Sequence, residues 1–301
     1  MTRILVATAD GLYSLPGNSQ ADLTGHDVAA LARDSEGWWA VADERVLLHG
    51  TPGAEWSESA RGDARLTCLL VASDGLFAGT AGARLIRLVD GRLEPVAAFD
   101  EAPGRDAWYT PWGGPPAVRS LSAHPDGTLY VNVHVGGILR SHDGGGSWEP
   151  TIDIDLDVHE VQAEARSGRV VAATGAGGFA LSEARGDSWR LSAGGLHGRY
   201  CRAVAVASST VLLSASTGPR TRQGALYRRL LGDDEPFERC RRGLPEWFEG
   251  NIDTGWLDAA GDSAAFATPA GELYISQDAG QTWQRMAEGL PPVRAVALDE
   301  S

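Results

Sequence analysis

Three of the seven histidines, His134, His159 and His197, fall in successive segments of similar length, so a fold that stacks those segments around an axis can bring their side chains together. Three imidazoles in one pocket suit Zn, Fe or Cu, because neutral imidazole nitrogen is a borderline ligand that these cations prefer over hard oxygen donors. No His-x-His or His-Glu-x-x-His spacing occurs, so a metal site built on them has to be assembled by the fold. A second set is cationic. Arg119, Arg202 and Arg294 each follow the first residue of an apolar run (Val118, Cys201, Val293), and His159 and Asp253 take the same place after Val158 and Ile252. Guanidiniums converging at one level can grip a carboxylate or phosphate with paired N–H donors. The competing reading is an internal network in which Asp253 and Glu160 neutralise them, since a buried charge is costly unless paired.

Tyr200 lies close in sequence to both His197 and Arg202, and with His159 and His197 it makes the candidate catalytic set. The candidate ligand-binding set is Arg119, Arg202, Arg294 and Asp253, together with Trp108, Tyr109, Trp112 and Trp247. Those aromatics come from two long stretches, Asp100 to Pro116 and Pro245 to Trp256, and long loops on a rigid scaffold are where binding residues concentrate. The same stretches can also simply cover exposed ends of the scaffold. In Asp153-Ile154-Asp155-Leu156-Asp157 acids alternate with apolar residues, as in a half-exposed strand or the approach to one, and Asp157 is expected near His159. Gly218-Pro219-Arg220-Thr221-Arg222 can add positive charge beside them. Gly175-Ala176-Gly177-Gly178 has no helix after it and reads as a turn rather than a phosphate loop.

The scaffold that must position these residues is written in a repeat. Ser141-His142-Asp143-Gly144-Gly145-Gly146-Ser147-Trp148 returns as Ser276-Gln277-Asp278-Ala279-Gly280-Gln281-Thr282-Trp283, with a worn copy at Ser182-Glu183-Ala184-Arg185-Gly186-Asp187-Ser188-Trp189. The pattern Ser-x-Asp-x-Gly-x-Ser/Thr-Trp predicts a hairpin turn in which Asp caps backbone N–H groups, Gly accepts a positive φ and Trp begins the next strand. It resembles the Asp-box, or BNR, repeat of sialidases, sortilin-type receptors and photosystem-assembly propellers, within the wider WD40/YVTN/BNR-like group. That resemblance implies a β-propeller whose box turns join third to fourth strands, on the face opposite the candidate site residues. Sialidases also use three arginines, a Tyr with a Glu partner and an Asp. Here their Arg-Ile-Pro motif is absent and no Glu can be assigned to Tyr200 or Tyr109, so sialidase chemistry is not implied.

The boxes also set a period. From Ser141 to Ser182 is 41 residues and from Ser182 to Ser276 is 94, or two periods, which is the spacing of propeller blades. Short Val-, Leu-, Tyr- and Trp-bearing runs separated by Gly, Asp and Pro fill the intervals. Innermost strands are expected near Val28, Leu66, Val118, Val158, Cys201, Ile252 and Val293. The last has nothing after it, and the segment Arg3 to Leu15 supplies second and third strands with nothing before them. Pairing the two closes a seven-bladed, all-β propeller across residues 1–301 as a single domain.

Composition narrows the partners. The net charge is −14 and the sequence contains no lysine, all 26 basic residues being arginine. Such a balance disfavours nucleic acid and anionic membrane. Cys68, Cys201 and Cys240 form no metal-ligand spacing and no disulfide framework. The N-terminus lacks the apolar core of a signal peptide, and a cytoplasmic protein is expected. Three functions follow from these residues: a site for a small polar or anionic ligand, hydrolytic or metal-assisted; a protein-interaction scaffold; and a metal-dependent redox enzyme using the histidines.

Overall fold

A computed structural model describes residues 2–17, 21–111 and 113–299. The architecture is all-β, with six four-stranded antiparallel sheets and one three-stranded sheet, and these are the seven blades of a β-propeller. The three-stranded sheet is the split blade. Its inner strand Val293–Asp299 pairs antiparallel with Arg3–Thr8 in the register Ile4↔Leu298 and Val6↔Val296, and Arg3–Thr8 pairs with Gly11–Leu15. A bridge from Leu12 to Asp22 extends its outer edge. The C-terminal strand therefore joins the N-terminal segment as the half-blades predicted, and the edge of that blade is not left open.

Two compact units make up the chain: Met1–Asp27 with Ala173–Leu181 and Arg190–Ser301, and Val28–Ala172 with Ser182–Trp189. In the second unit the cores of the blades follow from strand composition. In one blade the second and third strands, Leu129–Val133 and Gly137–Ser141, are buried at every residue, as continuous apolar runs covered on both faces must be. Inner strands such as Val118–Ala123 alternate, and outer strands such as Glu149–Pro150 are exposed. Gly79 lets the blades approach closely, because a Cβ there would lie 2.5 Å from Val118 Cγ1 and 2.6 Å from Cys68 Sγ. Hydroxyls stitch neighbouring inner strands: the N–H groups of Val161 and Ala163 donate to Ser120 Oγ and Ser122 Oγ at 3.0 and 2.9 Å. In the first unit Ser214 Oγ accepts from Ala203 N–H and donates to Ile252 O.

The repeated octapeptide forms the turn its residues predict. In its first copy Ser141 Oγ donates to Asp143 Oδ1 (2.8 Å) and accepts from Gly145 N–H (2.9 Å). Asp143 in turn accepts from Ser147 N–H and Oγ–H at 2.9 and 2.7 Å. The copy at Ser276 repeats these bonds with Asp278, Gly280 and Thr282. In the worn copy Ala184 stands where Asp caps the others, yet Ser182 Oγ still accepts from Gly186 N–H at 2.7 Å. Trp148 and Trp283 donate Nε1–H to Gly145 O and Gly280 O, both at 3.1 Å. Each then packs edge-on against a phenylalanine, Phe99 at 5.1 Å and Phe266 at 4.9 Å, a geometry that adds about 0.5–1.5 kcal/mol to burial.

Two inner strands start later than the apolar runs predict. The ladders begin at Val204 and Leu257 rather than near Cys201 and Ile252. Locally, Arg202 and Ala203 donate their N–H groups to Ser214 Oγ, and Asp253 O accepts from Trp256 N–H in a turn. The register also shifts across the second residue of four inner strands, at Ala29, Thr67, Arg119 and Arg294. A bulge at this place frees its residue from the ladder and re-aims its side chain.

Candidate functional site

In the unit Val28–Ala172 with Ser182–Trp189, a carboxylate stands between two imidazoles. His134 follows the strand Leu129–Val133, its N–H donating to Ala117 O at 2.9 Å. His159 is the second residue of the strand Val158–Ala163 and is 0% exposed. Asp157 ends a single 3₁₀ turn, Ile154–Leu156, in the left-handed conformation (φ 51°, ψ 63°), which Asp tolerates better than most residues. Asp153 caps the start of that turn by accepting from Asp155 N–H at 2.9 Å. The result is an Asp157 Oδ1 3.0 Å from His134 Nε2 and an Oδ2 3.3 Å from His159 Nε2. The two rings are 5.6 Å apart. Burial pushes the Asp157 carboxyl up, but hydrogen bonds from His134 and His159 and the charge of both outweigh it and hold the group well below the usual carboxylate range.

The third histidine of the sequence set, His197, belongs to the other unit. Its Nε2 is 2.7 Å from Gln223 O and its Nδ1 2.7 Å from Tyr227 Oη. A carbonyl only accepts, so Nε2 carries the proton and Nδ1 accepts from the phenol. Burial lowers its pKa, the Arg239 charge adds to that, and Gln223 opposes. The ring stacks on Tyr227 and packs 4.6 Å from Trp247. The ligand set that the structure does bring together is thus His134, Asp157 and His159, with ligand atoms all within 4.8 Å of one another.

Two of the three arginines, Arg202 and Arg294, are held by carboxylates. Arg202 Nη1 donates to Asp253 Oδ2 at 2.7 Å, and its Nε and Nη2 donate to Tyr200 Oη at 3.2 and 2.9 Å. Burial lowers the Arg202 pKa, but Asp253 and Tyr200 raise it by more. Tyr200 therefore serves as an acceptor for the guanidinium over its ring, 5.3 Å from the centroid. Arg294 makes a two-pronged pair with Asp27, Nε to Oδ1 and Nη2 to Oδ2, each 2.9 Å. Arg119 is half-buried at its bulge. Trp108 packs 5.8 Å from Phe99 beneath Arg105, whereas Tyr109 is 46% exposed. Trp112 lies outside the described residues.

Sequence reasoning did not single out a second cationic cluster, although the run Arg239-Cys240-Arg241-Arg242 signals it. In the first unit Arg228, Arg239, Arg241 and Arg242 line a hollow of about 250 Å³ together with Glu238, Gly280 and Gln281. Arg239 lies 3.8 Å over the Trp247 ring and Arg228 Nε donates to Ala279 O. Among the described residues no carboxylate stands within ion-pair distance of these four. A larger hollow of about 420 Å³ lies beside Thr282, Trp283 and Met286. Its acid, Asp278, is held by the turn, so it offers less chemistry than the arginine hollow.

No family model matches the sequence, and no curated protein does. Solved structures share the fold at low identity. YCF48 from Cyanidioschyzon merolae is 17% identical with a TM-score of 0.60, over 88% of this chain and 87% of that one. The WD40 repeats of RRP9 are 16% identical with a TM-score of 0.62, over 96% and 86%. The GH74 xyloglucanase from Xanthomonas campestris is 18% identical with a TM-score of 0.61 over 95% of this chain, which spans 47% of that enzyme. At these identities the likeness concerns the fold.

Proposed function

We propose that this chain is an Asp-box propeller acting as an interaction scaffold, and that it docks an acidic segment of a partner protein on the patch Arg228, Arg239, Arg241 and Arg242. One observation carries the reading: four guanidiniums gather without a carboxylate partner among the described residues, in a chain of net charge −14. A local patch opposite in sign to the whole protein favours one orientation of approach and one class of partner. The arginines that sequence register offers for a small anion, Arg202 and Arg294, are instead tied to Asp253 and Asp27. An anion there has to displace a charge-assisted pair, which weighs against a sialidase-like grip. The Ser-Asp-Gly-Trp turns support the Asp-box assignment by their shared hydrogen bonds, and YCF48 and the RRP9 repeats are propellers of similar extent.

The test is fluorescence anisotropy of a labelled octaglutamate peptide with the full chain at low and high salt. Binding that weakens with salt and is lost in Arg241→Glu/Arg242→Glu, but kept in Arg294→Ala, is the expected result. Equal binding by the wild type and the double variant refutes the patch. A second reading, a small polyanion in the 250 Å³ hollow, predicts instead that citrate binds stoichiometrically and competes the peptide away.

A further inference from the structure

We infer that His134, Asp157 and His159 form a binding site for one divalent transition-metal cation, independent of the arginine patch. Two imidazole nitrogens and one carboxylate oxygen are the donor set of three-ligand Zn sites and of Fe(II) sites with open positions, and a poor set for Ca²⁺ or Mg²⁺, which take mainly oxygen. Spacing agrees with the chemistry. A tetrahedral ion with bonds of about 2.0–2.1 Å holds its ligand atoms about 3.3 Å apart. Asp157 Oδ1 lies 3.0 Å from His134 Nε2 and Oδ2 lies 3.3 Å from His159 Nε2, so one bound oxygen is at that spacing from one imidazole and within 4.8 Å of the other. The remaining nitrogen–nitrogen gap is at most 4.8 Å. It closes by rotation of His134, which sits just past a strand end, against a His159 fixed inside its strand. Each imidazole then ligates through Nε2 while its proton resides on Nδ1.

Each ligand comes from a different local structure: a strand end, a 3₁₀ turn and an inner strand. The arrangement therefore exists only in the folded chain, and the ion reports folding as well as occupancy. Partial exposure of Asp157, 30%, with His134 at 12%, gives the ion an approach that the fully buried His159 does not. The sequence offered three histidines, and geometry substitutes Asp157 for His197.

The experiment uses the untagged full chain, stripped with chelator and titrated with Co²⁺, followed by Zn²⁺ competition. One Co²⁺ per chain with visible ligand-field bands, displaced by Zn²⁺, is expected. His134→Gln and Asp157→Asn each weaken Co²⁺ binding by at least about tenfold, the scale seen when a metal's immediate surroundings are altered, and His142→Ala, outside the cluster, leaves it unchanged. Circular dichroism on the same samples separates loss of the site from loss of the fold, which matters most for His159→Ala. A folded wild-type chain that takes up no Co²⁺ overturns the inference and leaves a hydrogen-bonded His-Asp-His triad. Unchanged binding in both His134→Gln and Asp157→Asn overturns it equally, by placing the ion elsewhere.

Discussion

The serine that opens each octapeptide, rather than the aspartate that gives the motif its character, is expected to carry the stability of the turn. Ser141, Ser182 and Ser276 are all but fully buried, and each accepts from a buried glycine amide, Gly145, Gly186 and Gly280, at 2.9, 2.7 and 2.9 Å. Replacing Ser by Ala removes one oxygen and little packing, but strands that amide away from water, at a cost of about 1–3 kcal/mol. Ser141 and Ser276 also donate to Asp143 and Asp278 at 2.8 Å. Those carboxylates keep the bonds from Ser147 and Thr282 and reach solvent, so this loss adds no more than about 1 kcal/mol. Urea denaturation of the three single variants should show Ser182→Ala destabilised by about 2 kcal/mol, with Ser141→Ala and Ser276→Ala equal to it or up to about 1 kcal/mol worse. The m-value should stay unchanged, the sign that stability alone has moved. If Ser182→Ala costs less than about 0.5 kcal/mol while the other two cost several times that, the serine–amide bond is not the common element and the reasoning fails.

Two further outcomes follow from the same geometry. Arg140, 8% exposed, donates to Glu149 Oε1 at 2.7 and 3.0 Å, to Asp187 Oδ1 at 2.6 Å and to Arg185 O at 2.7 Å. Arg140→Leu should destabilise by about 1–3 kcal/mol in urea, below the ~3–5 of a fully buried pair, because Glu149 and Asp187 are more than half exposed and regain water. A cost above that range would mean the carboxylates remain desolvated. Hydrogen bonds from Ser147 and Ser141 hold Asp143 down to about 2. A lowered carboxyl contributes stability that is complete above the ordinary value near 4 and is lost as pH falls through about 2. The urea-midpoint gap between wild type and Asp143→Asn should therefore be constant above about pH 5 and shrink toward pH 2. A gap independent of pH sinks the assignment.

How much of the fold and of the site is legible in the sequence depends on range. The octapeptide encodes its own turn, since Ser, Asp, Gly and Trp interact within eight residues, and the missing partners of the two terminal segments imply the pairing of Val293–Asp299 with Arg3–Thr8. The register of Arg119 and Arg294 was also readable, but not that the register shifts there. Partners distant in sequence were invisible: Asp27 meets Arg294 across 267 residues, and nothing local to either residue announces it. Asp157 was placed near His159 by adjacency. Its position between two imidazoles depends on the left-handed end of a 3₁₀ turn, where strand-like alternation of Asp and Ile suggested extended chain. The inner strands near Cys201 and Ile252 start later than their apolar runs suggest, because the Ser214 hydroxyl takes up the N–H groups of Arg202 and Ala203 and a backbone turn from Asp253 to Trp256 occupies the second.

The octapeptide's role is wider than the spacing of blades. In its last copy Trp283 N–H donates to Arg242 O at 2.9 Å, and Arg242 bridges Thr282 in parallel. The next residue, Gly243, has φ +82° and passes so close that a Cβ there would lie 1.8 Å from Trp283 O, an approach only glycine permits. Backbone of the arginine run is therefore clamped to the turn, while Gly280 and Gln281 of the same turn line the hollow between the guanidiniums. The turn residues were expected to mark the face opposite a site built from Arg119, Arg202 and Arg294. The cluster of arginines without carboxylate partners among the described residues adjoins the turn itself, tied to it at Arg242 by the bond from Trp283 N–H. The scaffold motif and the arginine cluster thus share one segment of backbone.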